Sequence, residues 1–390
     1  MAGPRTAGVD ETFDLARDVT TSPQRVEVSR DLARRRWREG PGKTVLHFAL
    51  LVAAAAAIYF SCEWFVNAVE WVGRRLQVRE MAVGTVLAAA GTALPESVVT
   101  LVAVAFGGTP QHKDIGVGAA MGGPLALATV AYGITGLVML TQRTKVSVPL
   151  KPRSWEPRPW EPRSRDPGSQ DLGDTAKLAR DQAWFLGIFV VKVALGLVAF
   201  AYKPWLGLLF FAAYAMYFWR EMRGAGDHHS GELEPLRLQR HREKPSGWAI
   251  AAQTVGALAV IFAASQLFVH QLQAVGPMLG LPAAVTALLL SPIATELPET
   301  MNAIIWVRNG KTPLALANIS GAMMIQATVP SGLGILFTPW LLGPPLLLAG
   351  VATMAAVGYL LVLLKSRRLT ATTLMFAAAW YALFAAFLLG

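Results

Sequence analysis

The sequence predicts an all-α polytopic membrane protein, with ten transmembrane helices arranged as two inverted five-helix repeats. Three observations predict it. The 390 residues are 54% hydrophobic and only 15% charged, where soluble domains carry about 25% charged residues. The apolar residues come in blocks, such as TVLHFALLVAAAAAIYF and PPLLLAGVATMAAVGYLLVLL, long enough for the ~20 residues that cross a hydrocarbon layer. An internal similarity also recurs at a fixed offset of 203 residues. The alternating ten-residue segments of a β-barrel are absent from the sequence.

Taken in order, the polar residues 1–44 form a charged N-terminal tail, whose opening lacks the apolar core of a cleavable signal peptide. The first repeat covers 45–221, with spans near 45–72, 80–107, 114–140, 183–201 and 204–221. Its long loop, 141–182, contains SWEPRPWEPRSRDP and reads as proline-rich and disordered. Residues 222–246 form a hydrophilic linker, expected to be a solvated connector. The second repeat covers 247–390, with spans near 247–274, 281–306, 313–338, 343–364 and 370–389. Cys62 is the only cysteine, so no intrachain disulfide is possible.

The net charge of +10 reads as basic cytoplasmic loops beside a lipid bilayer, not as a nucleic-acid surface. The loops after even-numbered spans hold only Lys113 and Lys203, and those after odd-numbered spans hold the other loop lysines and arginines. The positive-inside rule therefore puts the odd loops in the cytoplasm and both termini outside. RRRWREG just before the first span argues the opposite for the tail, and its side stays open. The expected location is a cell membrane, plasma or inner, with several crossings.

The repeat carries the topology. FVNAVEWVGRRLQV (65–78) aligns with FVHQLQAVGPMLGL (268–281) without a gap. The same offset places Thr92, Leu94, Pro95 and Glu96 on Thr295, Leu297, Pro298 and Glu299, and TP at 109–110 on TP at 312–313. After a four-residue slip, ATV at 128–130 meets ATV at 327–329. Five spans per half is an odd number, so the halves enter from opposite sides. That is the inverted-repeat plan of secondary transporters, with the binding site at the midplane between repeats.

GTALPE (91–96) and ATELPE (294–299) each place a helix-breaking proline and an acid in an apolar segment. Proline has no N–H and displaces the bond to the carbonyl four residues earlier. Pro95 thus frees the Gly91 carbonyl and Pro298 that of Ala294, which membranes tolerate only inside protein or beside a wet cavity. Hard cations favour such oxygen ligands. Thr92 and Glu96 share a helical face, as do Thr295 and Glu299, and Glu296 faces the same general direction. The expected cation-binding set is Glu96, Glu299, Thr92, Thr295, the Gly91 and Ala294 carbonyls, and Glu296. Glu296 is equally readable as a ligand, a proton acceptor or a structural acid. Carboxylates packed this closely in a low dielectric need a positive partner, and a metal ion or protons can fill that role in turn, which suffices for antiport.

The remaining polar residues read more plainly. Glu63 and Glu70 are expected as packing or interfacial groups, and Lys192 is expected to snorkel towards an interface. Asn318 and Gln326 either support the site from span 8 or bond between helices. Gly118, Gly122, Gly123 and Gly321 are expected to permit close helix packing. His228 and His229 lack the spaced partners of a metal site.

At these residues the sequence resembles the calcium/cation antiporter superfamily, which includes the sodium/calcium exchangers. That family carries a G-T-S-x-P-E type motif in spans 2 and 7, each followed by a span with a G-S-N-x-x-x-N type motif. The resemblance covers roughly 45–140 and 248–340 and, by topology, the rest. Against the pattern, Ala93 and Glu296 replace the motif serine, and Gly123, Pro124 and Leu127 fall where span 3 is polar in the family. In span 8, Asn318 and Gln326 fit polar positions whereas Ala322 and Met323 do not. The resemblance implies exchange of a divalent cation, foremost Ca²⁺, by alternating access, with spans 1 and 6 sliding across the other eight. Fewer sodium-associated ligands and one added carboxylate leave Na⁺ and H⁺ both open as counter-ion. Glu96, Glu299, Thr92 and Thr295 would hold the metal, as cargo, with no cofactor. A cation channel and a transport-inactive sensor of the same fold are the alternatives. An intramembrane metalloprotease is disfavoured, because no H-E-x-x-H occurs.

Overall fold

The computed structural model describes residues 41–78, 80–106, 110–145, 175–223, 233–278 and 289–389. Most of the predicted N-terminal tail, the proline-rich core of the 141–182 loop, His228 and His229, and the start of span 7 lie outside them. Helices make up almost all of the described chain, and no strand occurs among the described residues.

The first helix, α1 (Pro41–Arg75), runs through an alanine-rich, proline-free stretch of strong helix formers and stops at the turn holding Gln77 at φ 52°. The first Pro-Glu motif lies on α2 (Ala89–Leu101), flanked by wider π-helical turns at Val83–Ala88 and Val102–Phe106. Across this unit, Val83–Ala93 and Glu96–Phe106 are bent by 45°. Next, α3 (Pro110–Ala126) continues through a π-helical turn at Leu127–Ala131 into α4 (Tyr132–Lys145). Helices α5 (Thr175–Leu195), α6 (Gly207–Arg223) and α7 (Gly247–Met278) follow. The second motif is split between α8 (Ser291–Thr295) and α9 (Leu297–Arg308). The chain ends with α10 (Thr312–Phe337), α11 (Pro344–Lys365), α12 (Ala371–Met375) and α13 (Ala378–Leu389).

Among the described residues, six helices are long and apolar enough to cross a membrane, or seven if the bent 83–106 unit is one crossing. The protein is therefore a multi-pass integral membrane protein built from helices. Helix α10 is apolar on every side and forms the centre, touching α2, α3, α5, α6 and α9. Gly321 lets it approach the first-motif unit closely: a Cβ there would meet the Thr85 backbone, 2.6 Å from its carbonyl carbon. Helices α1 and α7 pack along one another at the periphery. Only 17% and 28% of their most apolar windows are buried, against 83% for α10.

Two connectors carry structure of their own. The 141–182 loop is helical at both ends, through Lys145 and from Thr175. The polar first turns of α5 are buried because Lys177 pairs with Asp181 at 3.1 Å and with Glu221 of α6 at 2.7 Å. Over its described part the 222–246 linker is mostly exposed but is anchored at a few residues. Leu236 is fully buried against Ala68, Trp71, Ala249 and Ile250. Asn67 and Trp71 of α1 donate to the Pro235 and Glu234 carbonyls at 3.3 and 2.9 Å, and the Arg237 N–H donates to Asn67 at 3.1 Å.

Candidate functional site

The two motifs converge. Ligand oxygens of Glu96, Glu296 and Glu299 all lie within 4.8 Å of one another. Glu96 arrives on α2. Glu299 arrives in the first turn of α9, the positive end of that helix dipole. Glu296 sits in the break between α8 and α9, at φ −86° and ψ 9°, because Pro298 cannot continue the ladder and the chain leaves helical geometry just before it. Glu296 and Glu299 are fully buried and Glu96 is half-buried.

One amide ties the acids together. Gln326 Nε2 on α10 donates to Glu96 Oε2 at 2.8 Å and to Glu296 Oε1 at 2.5 Å, so each of its N–H groups holds a different carboxylate. Asn318 Nδ2 donates to the Glu299 main-chain carbonyl at 3.2 Å. Glu296 Oε2 and both oxygens of Glu299 have no hydrogen-bond partner among the described residues. A buried carboxylate without donors is costly, and a hard cation matches a set made only of oxygens.

Beside the acids lies a cavity of about 90 Å³, bordered by Glu96, Thr92, Thr295, Pro298 and Gln326 together with residues of α3 and α7. Thr92 and Thr295 line it while their hydroxyls donate to the Ala88 and Pro292 carbonyls, at 3.2 and 3.1 Å. Gly91 and Ala294 do not border it: Gly91 packs towards Phe65 and Leu258, and Ala294 is buried. The side chains of Leu94 and Pro95 lie outside the described residues.

Several residues at the site were not singled out in the sequence. Ser265 and Gln266 of α7 and Thr100 of α2 border the cavity, and Ser265 Oγ has no partner among the described residues. The 203-residue offset would have found Ser265, because it pairs it with Cys62, whose Sγ lies 3.7 Å from the Pro298 carbonyl. Gly123 has a closer role than packing: a Cβ there would meet the Gln326 amide and lie 2.7 Å from Glu296 Oε1. Gly122 and Gly321 do mediate packing, against Pro292 and Thr85, whereas Gly118 faces open space.

The other intramembrane charges are engaged. Glu70 is buried, accepts from Trp306 Nε1 at 2.9 Å and pairs with Lys311 at 2.5 Å. Glu63 pairs with Arg237 at 3.2 Å. Lys192 does not snorkel. It is fully buried, because acceptors from two other helices, the Ala120 carbonyl and Ser331 Oγ, meet its Nζ at 2.8 and 3.0 Å.

Residues 46–222 and 250–390 match the family described as sodium/calcium exchanger protein. The chain is a member of that family. It thus belongs to the calcium/cation antiporter superfamily, as a membrane transporter of the exchanger class and not an enzyme. Among its relatives, the putative antiporter CaxA of Alkalimonas amylolytica is 25% identical over 289 residues, covering 72% of this chain and 78% of CaxA. The inner membrane protein YrbG of Escherichia coli (strain K12) is 25% identical over 329 residues, covering 83% and 90%. The fold is similar to that of the sodium-calcium exchanger NCX_Mj, with a TM-score of 0.64 at 16% identity, over 88% of this chain and 99% of that one.

Proposed function

We propose that this family member is a secondary active antiporter that exchanges a divalent cation, Ca²⁺ first, for Na⁺ or H⁺ by alternating access. The observation that carries the reading is the convergence of Glu96, Glu296 and Glu299 within 4.8 Å, with three of their buried oxygens lacking donors. Such a site is tolerable only with positive charge in it, and a divalent ion or protons supply that charge alternately. Glu96, Glu299 and Glu296 are the charged ligands. Thr92 and Thr295 contribute from the cavity wall, whereas Gly91 and Ala294, which do not border the cavity, are left out of the set. In this reading the chain is two inverted five-helix repeats, 45–221 and 247–390, with the site at the bilayer midplane of a cell membrane. The peripheral α1 and α7, spans 1 and 6, slide across the rest.

The test is ion-resolved uptake into proteoliposomes under imposed Na⁺ or H⁺ gradients. Wild type should show saturable, counter-ion-dependent uptake of Ca²⁺. Glu96→Gln and Glu299→Gln should each lower it by at least ~100-fold, since removing one charged oxygen ligand from a buried site forfeits about 3 kcal/mol, while monodispersity is unchanged. Wild-type flux from both variants would refute the site, and saturation without counter-ion dependence would refute exchange.

A further inference from the structure

Lys192 is the charge that the carboxylate site leaves unexplained. It lies in the last turn of α5, fully buried, and no acid lies within ion-pair distance of it among the described residues. Its Nζ donates to Ala120 O of α3 at 2.8 Å and to Ser331 Oγ of α10 at 3.0 Å, and it stands 4.3 Å over the Phe189 ring. A methionine would fill this space without the desolvation penalty of an ammonium, which is several kcal/mol even after relaxation.

Both of its acceptors are attached to the carboxylate site. Ala120 borders the cavity beside Glu96. Three residues on, about 4.5 Å of helical rise, Gly123 abuts Gln326 and Glu296. Ser331 Oγ in turn donates to the main-chain carbonyl of Gln326 at 3.2 Å, and the Gln326 amide holds Glu96 and Glu296. The ammonium therefore stands behind the cavity wall that α3 and α10 form.

Resting on the exchanger reading above, we propose that Lys192 is a resident cation that sets the valence of the transport site. Three carboxylates and one fixed ammonium leave two net negative charges. One divalent ion neutralises them, or two monovalent ions, so the cargo stoichiometry follows from this chain's own charges. Lys192 touches no ligand oxygen; it acts as a positioning charge. Taking one helix-to-helix spacing, about 10 Å, and an effective dielectric near 20, one unit charge changes the affinity of a monovalent cation roughly tenfold and that of a divalent cation by roughly 100-fold or more.

The experiment compares wild type with Lys192→Met in the full-length chain, measuring ⁴⁵Ca²⁺ binding against increasing Na⁺ and, separately, increasing H⁺. In wild type, the competing ion should displace Ca²⁺ with a logarithmic slope near 2. In Lys192→Met, Ca²⁺ affinity should rise by roughly 100-fold and the slope should approach 3. Lys192→Gln, which keeps hydrogen-bonding capacity without charge, should behave in the same way and serves where the methionine variant does not fold. Unchanged or weaker Ca²⁺ affinity in the neutral variants, or an unchanged slope, would overturn the proposal and leave Lys192 a packing residue. Absence of Ca²⁺ binding to wild type would instead overturn the exchanger reading itself.

Discussion

Gly123→Ala tests the site through a single added methyl group. The new Cβ would fall 2.7 Å from Glu296 Oε1 and closer still to the Gln326 amide oxygen. Against Glu296 this is about 0.7 Å inside the 3.4 Å at which ordinary contact begins. Neither neighbour can simply swing away. Gln326 is held by Glu96 and Glu296 at 2.8 and 2.5 Å, and both Gln326 and Glu296 are buried. Overpacking of this kind costs ~1–3 kcal/mol. Because the strain falls on the groups that hold the cation, it should appear as a ~5- to 150-fold loss of Ca²⁺ affinity. The assay is Ca²⁺-dependent uptake, fitted for KM and Vmax, alongside the Ca²⁺-induced shift in thermal stability in detergent. Gly118→Ala is the matched control: it lies on the same helix, five residues earlier, and its added methyl meets nothing within 4 Å. A wild-type KM in Gly123→Ala, or an equal loss in Gly118→Ala, would refute the reasoning.

Two further substitutions probe the scaffold. Gly321→Ala drives a methyl into the Thr85 backbone; since backbone cannot rotate aside, a loss of about 3 kcal/mol and a sharply reduced monodisperse yield are expected in size-exclusion chromatography. Leu236→Ala empties the fully buried contact of the 233–246 segment with α1 and α7; it should cost ~2–4 kcal/mol, read as a lowered Tm with Ca²⁺ affinity unchanged.

The helical membrane fold and the two acidic motifs were legible because each rests on a local anomaly. An apolar block of twenty residues has few other uses, and a Pro-Glu pair inside one violates the solvent. What stayed hidden depends on contacts between distant residues. Lys192 looked free to snorkel because nothing nearby in sequence can satisfy it; its acceptors are 72 and 139 positions away. Gln326 was read as either supporting the site or bonding between helices; that its one amide would join Glu96 and Glu296, 230 and 30 positions away, was not legible. Lys177 and Asp181 looked like loop residues because hydropathy ends a span where charges begin. Here Glu221 from α6 pairs with Lys177, which lets the charged turns stay helical and buried.

The bonding between α1 and α7 has a mechanical consequence. Near one end, Gln253 Nε2 reaches the Trp64 carbonyl at 2.9 Å and Asn67 Oδ1 at 3.0 Å, while the Leu238 N–H donates to Gln253 Oε1 at 2.8 Å. Towards the other end, His47 and Gln271 meet at 2.6 Å. Pinned at both extremities, the pair is a two-stave rod with little freedom for one stave to shear past the other. Any displacement of the outer wall is then shared at once by both halves of the polypeptide, and the rod itself enforces their synchrony without a signal passing through the acidic centre.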